Sequence, residues 1–382
     1  MQTKKTGHTM KWKTMAQSTI IFNYRLFFMS LALCTQLNAE RIIDTVWGKE
    51  VITDPLIEEL LDHEVMTRLE SIDQSGPHLY FGITPKFDRL SHSKGVWALV
   101  QRAGRTQKEC AAALMHDASH TVFSHLGDVI FKKDTTKGVY EEKAHSYQDE
   151  IHLYFLKQHG IDAITEKYNI PLDDLNPDLE EYKALEQPLP DMCADRIQYN
   201  IHTGVVFNMI STDDACDIVY NLCFDGTHWY FTDPVIAKKF AHLSVHFTKY
   251  LWGAPYNGAF YHYFARALRR ALELNIITHE DIHFSTDRKV FDSLKESNDP
   301  AIMHAFELCN NIYQSFMTVP YGQGDLNIKP KCRAIDPLVL VQNTDDTTST
   351  FKRLSELDQD FAQEFNAVYQ WCKNGYGLLL YE

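Results

Sequence analysis

The sequence has no apolar run long enough to cross a bilayer, no excess of positive charge, no pairing pattern among its cysteines, and neither an internal repeat nor a low-complexity tract. Near the N-terminus "LFFMSLALC" is nine residues long, against the ~20 apolar residues a membrane helix requires, so no permanent span is expected. Lys and Arg number 37 against 51 Asp and Glu, a net charge of −14, which argues against a broad surface for nucleic acid. The eight cysteines show no paired zinc spacing. With Cys34 set aside an odd number remains, so a dense disulfide framework is excluded and mostly buried thiols are expected. What is present in quantity is core: 45% hydrophobic and 12% aromatic residues in 382. That is enough for one large domain, or a domain with an appended lobe.

The first 39 residues read as an addition. Lys4, Lys5, Lys11, Lys13 and Arg25 precede the short apolar run, which is followed by the polar "TQ" and then "LNAE". That order is the order of an export signal, with Ala39 last before cleavage. The competing reading is a plain extension or a start placed too early, since Met10, Met15 and Met29 also offer starts. The expectation is an exported protein, or a cytoplasmic one if the signal is not real. A first domain is then expected over 40–210, with a C-terminal helical lobe over 211–382 packed on it.

The body patterns as mainly helical. "RTQKECAAALMHD" opens with Thr106 and Glu109 at capping-box spacing, and Cys110, Ala113, Leu114 and Asp117 follow one helix face. "EEKAHSYQDEIHLYFLKQHG" predicts a second helix stopped by Gly160, and a third is predicted from about Asp191 to His202 after the loop "EQPLP". "IVYNLCFDGTHWYF" predicts a hairpin with a two-residue turn at Asp225-Gly226, its "WYF" serving as hairpin core rather than as a base-stacking platform. "AHLSVHFTKYLW" and "YHYFARALRRALELN" return to helical patterning, and Asn343 to Thr350 reads as a solvated loop.

Against this background one stretch stands out. "LMHDASHTVFSHLGD", Leu114 to Asp128, puts three histidines and two aspartates among apolar and small residues. Ionisable groups are expensive to desolvate, so such a cluster needs either a mutual hydrogen-bond network or a metal. His116 and Asp117 are expected side by side on one helix, with His120 one turn beyond on the face of His116. His92 in "RLSHSKGVWAL" and Asp195 in "MCADRIQYNIHTG" are the residues on other helices that complete a shell. Asp195, Tyr199 and His202 fall at i, i+4 and i+7, which makes a polar helix face. Two imidazoles and two carboxylates suit one divalent ion, Mn, Fe, Mg, Ni or Zn, with positions left for water and a phosphate oxygen.

These words resemble the HD superfamily of metal-dependent phosphohydrolases, and within it the deoxynucleoside triphosphate triphosphohydrolase branch. "RLSHSKGV" is similar to that branch's R-x-x-H-S-x-G-V, "HDASHTVFSH" to its H-D-x-x-H-x-x-F-S-H, "ADRIQYNIHTG" to its D-(R/K)-x-D-Y-x-x-R-D, and "MTRLESIDQSG" to its Q-R-L-x-x-I-x-Q-x-G. The resemblance runs from about Ile42 to Gly204. It implies an HD-domain helical bundle, to which the patterning beyond Gly204 adds a small β-hairpin and a helical C-terminal lobe. It also implies His92, His116, Asp117 and Asp195 as ligands of one metal ion, and Arg89, Arg196 and Tyr199 as contacts to phosphate oxygens. His120, His125, Asp128 and His145 match the family's proton-handling and phosphate-contacting set. The substrate implied is a small phosphorylated molecule, a nucleotide first, and homo-oligomers are usual in the family.

The sequence also departs from the family. Gln198 replaces the Asp before Tyr199, and His202 and Thr203 replace the closing Arg-Asp. That last Asp grips the sugar 3′-hydroxyl in the family, while Gln74, the other sugar contact, is kept. "IIDTVWG" has Thr45 and Trp47 where Pro and His are usual, and Ser146 follows His145 where Glu is common. A hydrolase of altered or relaxed substrate choice is expected; the alternative is a metal- and nucleotide-binding sensor with weak or no catalysis.

Overall fold

The computed structural model describes residues 40–131, 139–141, 146–342 and 348–381. The expected export signal over 1–39, His145 and most of the loop expected from Asn343 to Thr350 lie outside the described residues; Ser349 and Thr350 belong to a strand.

Most of the described chain is helical. Three short strands precede the C-terminal half: β1 (Arg41–Thr45) and β2 (Gly48–Ile52), which pair with each other, and β3 (Val139–Glu141). Helix Pro55–Asp62 starts where the Asp54 carboxylate accepts from the Leu56 N–H and Pro55 pre-sets the first turn, and it buries Leu56, Ile57, Leu60 and Leu61. Helix Arg89–Arg102 is capped by Asp88, which accepts from the Ser91 N–H at 2.8 Å, and is buried over most of its length. Its Gly95 has a structural reason: a Cβ there would stand 2.6 Å from the Gln198 side chain, so helix Ala194–Val206 can press against it only because that side chain is missing. Thr106 caps helix Gln107–Met115 through the Glu109 N–H. Helix Tyr147–Gln158 ends at His159, with Gly160 left-handed at φ 71 as its sequence predicts. Helices Pro234–Phe247, Pro255–Glu273, Asp287–Glu296 and Pro300–Asn310 build the C-terminal half. There Phe81, Phe260, Phe264, Phe291 and Phe306 interlock, with ring centroids 5.2 to 6.2 Å apart.

Four sequence expectations need correction. First, the helix through "CAAALM" stops at Met115. His116 is its C-cap, and Asp117 and His120 lie in the turns that follow, so they do not share a helix face. Second, the predicted third helix starts later and runs on, over Ala194–Val206. Third, the hairpin forms, with β4 (Leu222–Phe224) antiparallel to β5 (Trp229–Phe231), but its loop has four residues. Asp225 Oδ1 accepts from the Thr227 and His228 N–H groups while the Asp225 N–H donates to the His228 carbonyl at 3.2 Å, which centres the turn on Gly226–Thr227, one residue beyond the expected place. Trp229 and Phe231 are buried as hairpin core.

Fourth, the C-terminal half is not a helical lobe with one hairpin. β6 (Phe316–Val319), β7 (Leu326–Lys329) and β10 (Tyr376–Leu380) join β3 in a sheet of order β3-β7-β10-β6. The hairpin is extended by β8 (Leu338–Gln342) and β9 (Ser349–Arg353) into a second four-stranded sheet, β4-β5-β8-β9. These strands have three to five residues and, apart from the β8–β9 pair, their partners are distant in sequence, so periodicity in a local window carries little of them. Residues Ile42–Glu382 form one compact unit, and the boundary expected after residue 210 falls inside it, at the Ser211 cap of helix Thr212–Asn221. Among the described residues no helix is long and apolar enough to cross a membrane.

Candidate metal centre

His92 stands in the first turn of helix Arg89–Arg102 and is buried. Its Nδ1 donates to Gln198 Oε1 at 2.5 Å, which directs the Nε2 lone pair inward. His116 does the same from the end of its helix: Nδ1 donates to the Ala113 carbonyl at 2.8 Å. The two Nε2 atoms face each other at 3.2 Å. Asp195, in the first turn of helix Ala194–Val206, brings Oδ1 to 2.9 Å from His92 Nε2 and 3.7 Å from His116 Nε2. The ligating atoms of His92, His116 and Asp195 lie within 4.8 Å of one another. Two lone pairs aimed at each other beside carboxylates are repulsive unless a cation stands between them, so the donor set fits a divalent ion. Without one, a proton takes the place: burial opposes charge on His116, but Asp117 and Asp195 outweigh it and lift its pKa to about 9.

Asp117 lies against this group, with its oxygens 3.6 Å from His116 Nε2 and 3.7 Å from His92 Nε2. It is also held from behind. Arg89 Nη1 donates to Oδ2 at 2.5 Å and His120 Nε2 is 3.2 Å from Oδ1. Burial pushes the Asp117 carboxyl up, but the Arg89 guanidinium first, then His116 and His120, hold it well below the usual carboxylate range. Asp195 is likewise lowered: its hydrogen bonds to His116 and His92 overcome burial.

The turn from Ala118 to His125 replaces the expected helix. Phe123 and Ser124 are consecutive residues in the left-handed region, each at φ 58, a conformation that costs on the order of 1 kcal/mol or more per non-glycine residue. The Phe123 N–H donates to Asp287 Oδ1 at 2.6 Å, and Ser124 Oγ donates to the Asp73 carbonyl and receives Arg89 Nε. Arg68 donates to the Ala118 and His120 carbonyls. So clamped, the turn sets His120 edge-on to His125 with centroids 5.2 Å apart. His120 is kept neutral, its pKa lowered to about 4 by burial and then by Arg89.

The other residues singled out in the sequence divide into two sets. Arg89 and Tyr199 are buried beside the cluster, and Arg89 Nη2, Tyr199 Oη, His120 Nδ1 and Gln74 Oε1 have no hydrogen-bond partner among the described residues. Buried polar atoms of that kind call for a ligand or water. By contrast Arg196 is engaged, with Glu186 at 3.3 Å and the Asp191 carbonyl at 3.2 Å. Asp128 accepts from the Tyr147 N–H at 2.6 Å and is 3.9 Å from His125 Nδ1. Thr203 is buried on the Asp195 helix. Glu186 and Cys193 also approach Asp195, though the Arg196 cation on Glu186 competes with any ion there.

The sequence marks Gln198 as a departure, and His202 as a departure on the polar face of Asp195 and Tyr199, without joining the two. They are partners: Gln198 Nε2 donates to His202 Nδ1 at 3.1 Å, and His202 stacks on Phe87 at 3.7 Å. The spacing i, i+4 on one helix was the available signal. Arg333 was missed altogether. It lies far along the chain, between β7 and β8, yet near enough for its charge to bear on both His125 and Tyr199.

No family model matches the chain. It is 29% identical over 337 residues to the uncharacterized protein YdhJ of Bacillus subtilis, covering 87% of this chain and 97% of that one. It is 28% identical over 307 residues to the metal-dependent phosphohydrolase cns2 of Cordyceps militaris, covering 78% of this chain and 85% of that one. Among solved structures it resembles a phosphohydrolase from Bacteroides thetaiotaomicron, with TM-score 0.60 and 16% identity over 90% of this chain and all of the other. It also resembles a hypothetical protein from Aquifex aeolicus, with TM-score 0.57 and 14% identity over 85% and 93%. The chain thus shares its fold with a solved phosphohydrolase, and over most of its length it is related in sequence to a protein named as a metal-dependent one.

Proposed function

We propose that this protein is a metal-dependent phosphohydrolase of the HD type that acts on a small phosphorylated molecule, nucleotides first among them. The observation that carries the reading is the pair of imidazole Nε2 atoms facing at 3.2 Å with Asp195 against both and the Asp117 carboxylate beside them. His92, His116, Asp195 and Asp117 would hold one ion (Mn, Fe, Mg, Ni or Zn), which when bound polarises a phosphoryl oxygen and lowers the pKa of a coordinated water. Arg89 and Tyr199 offer a free guanidinium N–H and a free phenol to phosphate oxygens, and Arg196 joins them on leaving Glu186. Neutral His120 and the adjacent His125 would take and return protons, and the family resemblance would add Asp128 and His145 to that set.

The test is elemental analysis of the purified protein, followed by a phosphate-release screen over nucleotides and simple phosphate esters. About one equivalent of metal and turnover of at least one phosphorylated compound are expected. Asp195→Asn should lose both while staying folded, whereas Asp117→Ala also strands the buried Arg89 cation and should cost about 3–5 kcal/mol in stability. Metal-free wild-type protein with no turnover overturns the reading; bound metal and nucleotide without turnover would favour a sensor.

Export is part of the same proposal. The mature chain should begin at Glu40, directly before the family-like region. Peptide mapping of protein from its native host checks this, and abundant peptides from "TMAQSTIIFNYR" would mark the segment as retained.

A further inference from the structure

Away from the metal centre, two thiols meet. Cys332 lies between β7 and β8, and Cys372 lies in the last turn of helix Gln359–Asn374. Neither is in a disulfide, and both side chains line one cleft, where the Cys372 thiol acts on Cys332. The packing around them is independent evidence that the two segments converge. A Cβ on Gly253 would stand 2.9 Å from Pro330 Cβ and 3.0 Å from Trp371 Cζ3, and Tyr376 Oη donates to the Gly253 carbonyl at 2.8 Å. The pair is not sealed in the core. A cleft of about 310 Å³ opens beside it, lined by Lys329, Pro330, Tyr369 and Lys373 together with both cysteines.

The two thiols are unequal. Cys332 is half-buried and so reachable from the cleft, while Cys372 is 4% exposed. The Cys372 hydrogen bond stabilises the Cys332 thiolate and lowers its pKa to about 7 against the opposing effect of burial. The cations of Lys329 and Lys373 line the same cleft. A reachable low-pKa thiol backed by a shielded one is the arrangement in which a mixed disulfide is resolved internally.

We propose that Cys332 and Cys372 form a redox-active dithiol, with Cys332 the entry thiol for small disulfides and Cys372 the resolving thiol, closing a reversible bond between the β7–β8 segment and helix Gln359–Asn374. The co-reactant is a low-molecular-weight disulfide, RSSR. The Cys332 thiolate attacks one sulfur of RSSR; the Cys332–SR bond forms, the S–S bond breaks, and RS⁻ leaves and takes up the proton that Cys332 gave. Cys372, losing its proton, then attacks Cys332 Sγ and expels the second RS⁻, which is protonated in turn. Two thiols are oxidised, one RSSR is reduced to two RSH, and reduction by a dithiol reverses the sequence. The bond would fix the residue next to Arg333. The backbone just beyond is already anchored: the Ile335 N–H donates to Ser244 Oγ at 3.0 Å and the Asp336 N–H to the Pro190 carbonyl at 3.2 Å. The inference stands apart from the substrate of the metal centre.

The test uses the full chain, reduced and desalted. A short pulse of N-ethylmaleimide at pH 7 should label Cys332 on the order of tenfold faster than half-buried Cys216. Incubation with oxidised glutathione, alkylation of the remaining thiols and digestion by a protease that spares Lys and Arg should then give one cross-linked peptide pair joining Cys332 to Cys372, short of two hydrogens and released by dithiothreitol. In Cys372→Ser the reaction should stop with glutathione held on Cys332; in Cys332→Ser, Cys372 should stay unmodified. Equal labelling of Cys332 and Cys216, or wild-type protein in which both thiols remain alkylatable after oxidised glutathione, overturns the proposal. These wild-type readouts need no variant to fold.

Discussion

Gln198 links the candidate metal ligand His92 to His202, and His202 lies flat on Phe87. These two departures from the pattern that the sequence resembles are therefore linked: a neutral amide stands behind a candidate ligand histidine and bonds on to the next imidazole. A carboxylate there would make the imidazole a stronger donor to metal, whereas an amide can both accept from His92 and donate to His202. Restoring the sugar grip by His202→Arg and Thr203→Asp alone would set a guanidinium against the Gln198 amide N–H and disturb His92. That double variant should lose metal affinity by about 10- to 100-fold. Adding Gln198→Asp should recover the metal and raise the ratio of specificity constants, deoxynucleoside triphosphate over simple phosphate ester, by about 1 to 3 kcal/mol. The check is metal titration and steady-state kinetics of wild-type, double and triple variants under one metal condition. Equal metal affinity in the double and triple variants would show that Gln198 and His202 act separately.

The elements that present the site were unequally legible in the sequence. Thr106 and Glu109 gave the start of helix Gln107–Met115, and Gly160 the end of helix Tyr147–Gln158, because caps are local chemistry. His116 and Asp117 could be picked out because a run so rich in titratable groups among apolar ones is unusual whatever backbone carries it, and His92 and Asp195 joined them through the motif resemblance. The end of the helix at Met115 could not be read. It depends on the turn that follows, whose left-handed Phe123 and Ser124 are held by the distant Asp287 and by Asp73 and whose Ala118 and His120 carbonyls accept from Arg68, so tertiary hydrogen bonds override the helical pattern. Arg333 was illegible for a similar reason, since its segment is anchored by contacts distant in sequence, among them the hydrogen bonds to Ser244 and Pro190. Its charge bears on both Tyr199 and His125, as that of Arg89 does on His125, which suits it to a phosphate oxygen. Arg333→Met should raise KM for a phosphorylated substrate by about tenfold or more, with bound metal unchanged and kcat reduced less. An unchanged KM would limit Arg333 to a structural part.

Across the whole molecule one hydrogen-bonded chain joins the C-terminal half to the metal centre. Asp287, at the start of helix Asp287–Glu296, is fully buried and accepts from the Phe123 N–H at 2.6 Å and the Asp73 N–H at 2.9 Å. The Asp73 carbonyl accepts from Ser124 Oγ, Ser124 Oγ accepts from Arg89 Nε at 2.8 Å, and Arg89 Nη1 reaches Asp117 Oδ2. Residues on both sides of position 210 therefore hold a single site, which agrees with one compact unit over Ile42–Glu382. Removing the Asp287 carboxylate leaves two buried N–H groups without acceptors and frees the left-handed Phe123–Ser124 pair to relax. Asp287→Ala should lower unfolding free energy by about 2–4 kcal/mol, read from the denaturant midpoint. It should also weaken metal retention on dialysis, because Arg89 and Asp117 lose their fixed support. Asp287→Asn keeps the shape and one acceptor oxygen and should fall between the two. If Asp287→Ala is destabilised yet holds metal as firmly as wild type, the chain ends at Asp73 and the metal centre is organised by its own helices alone.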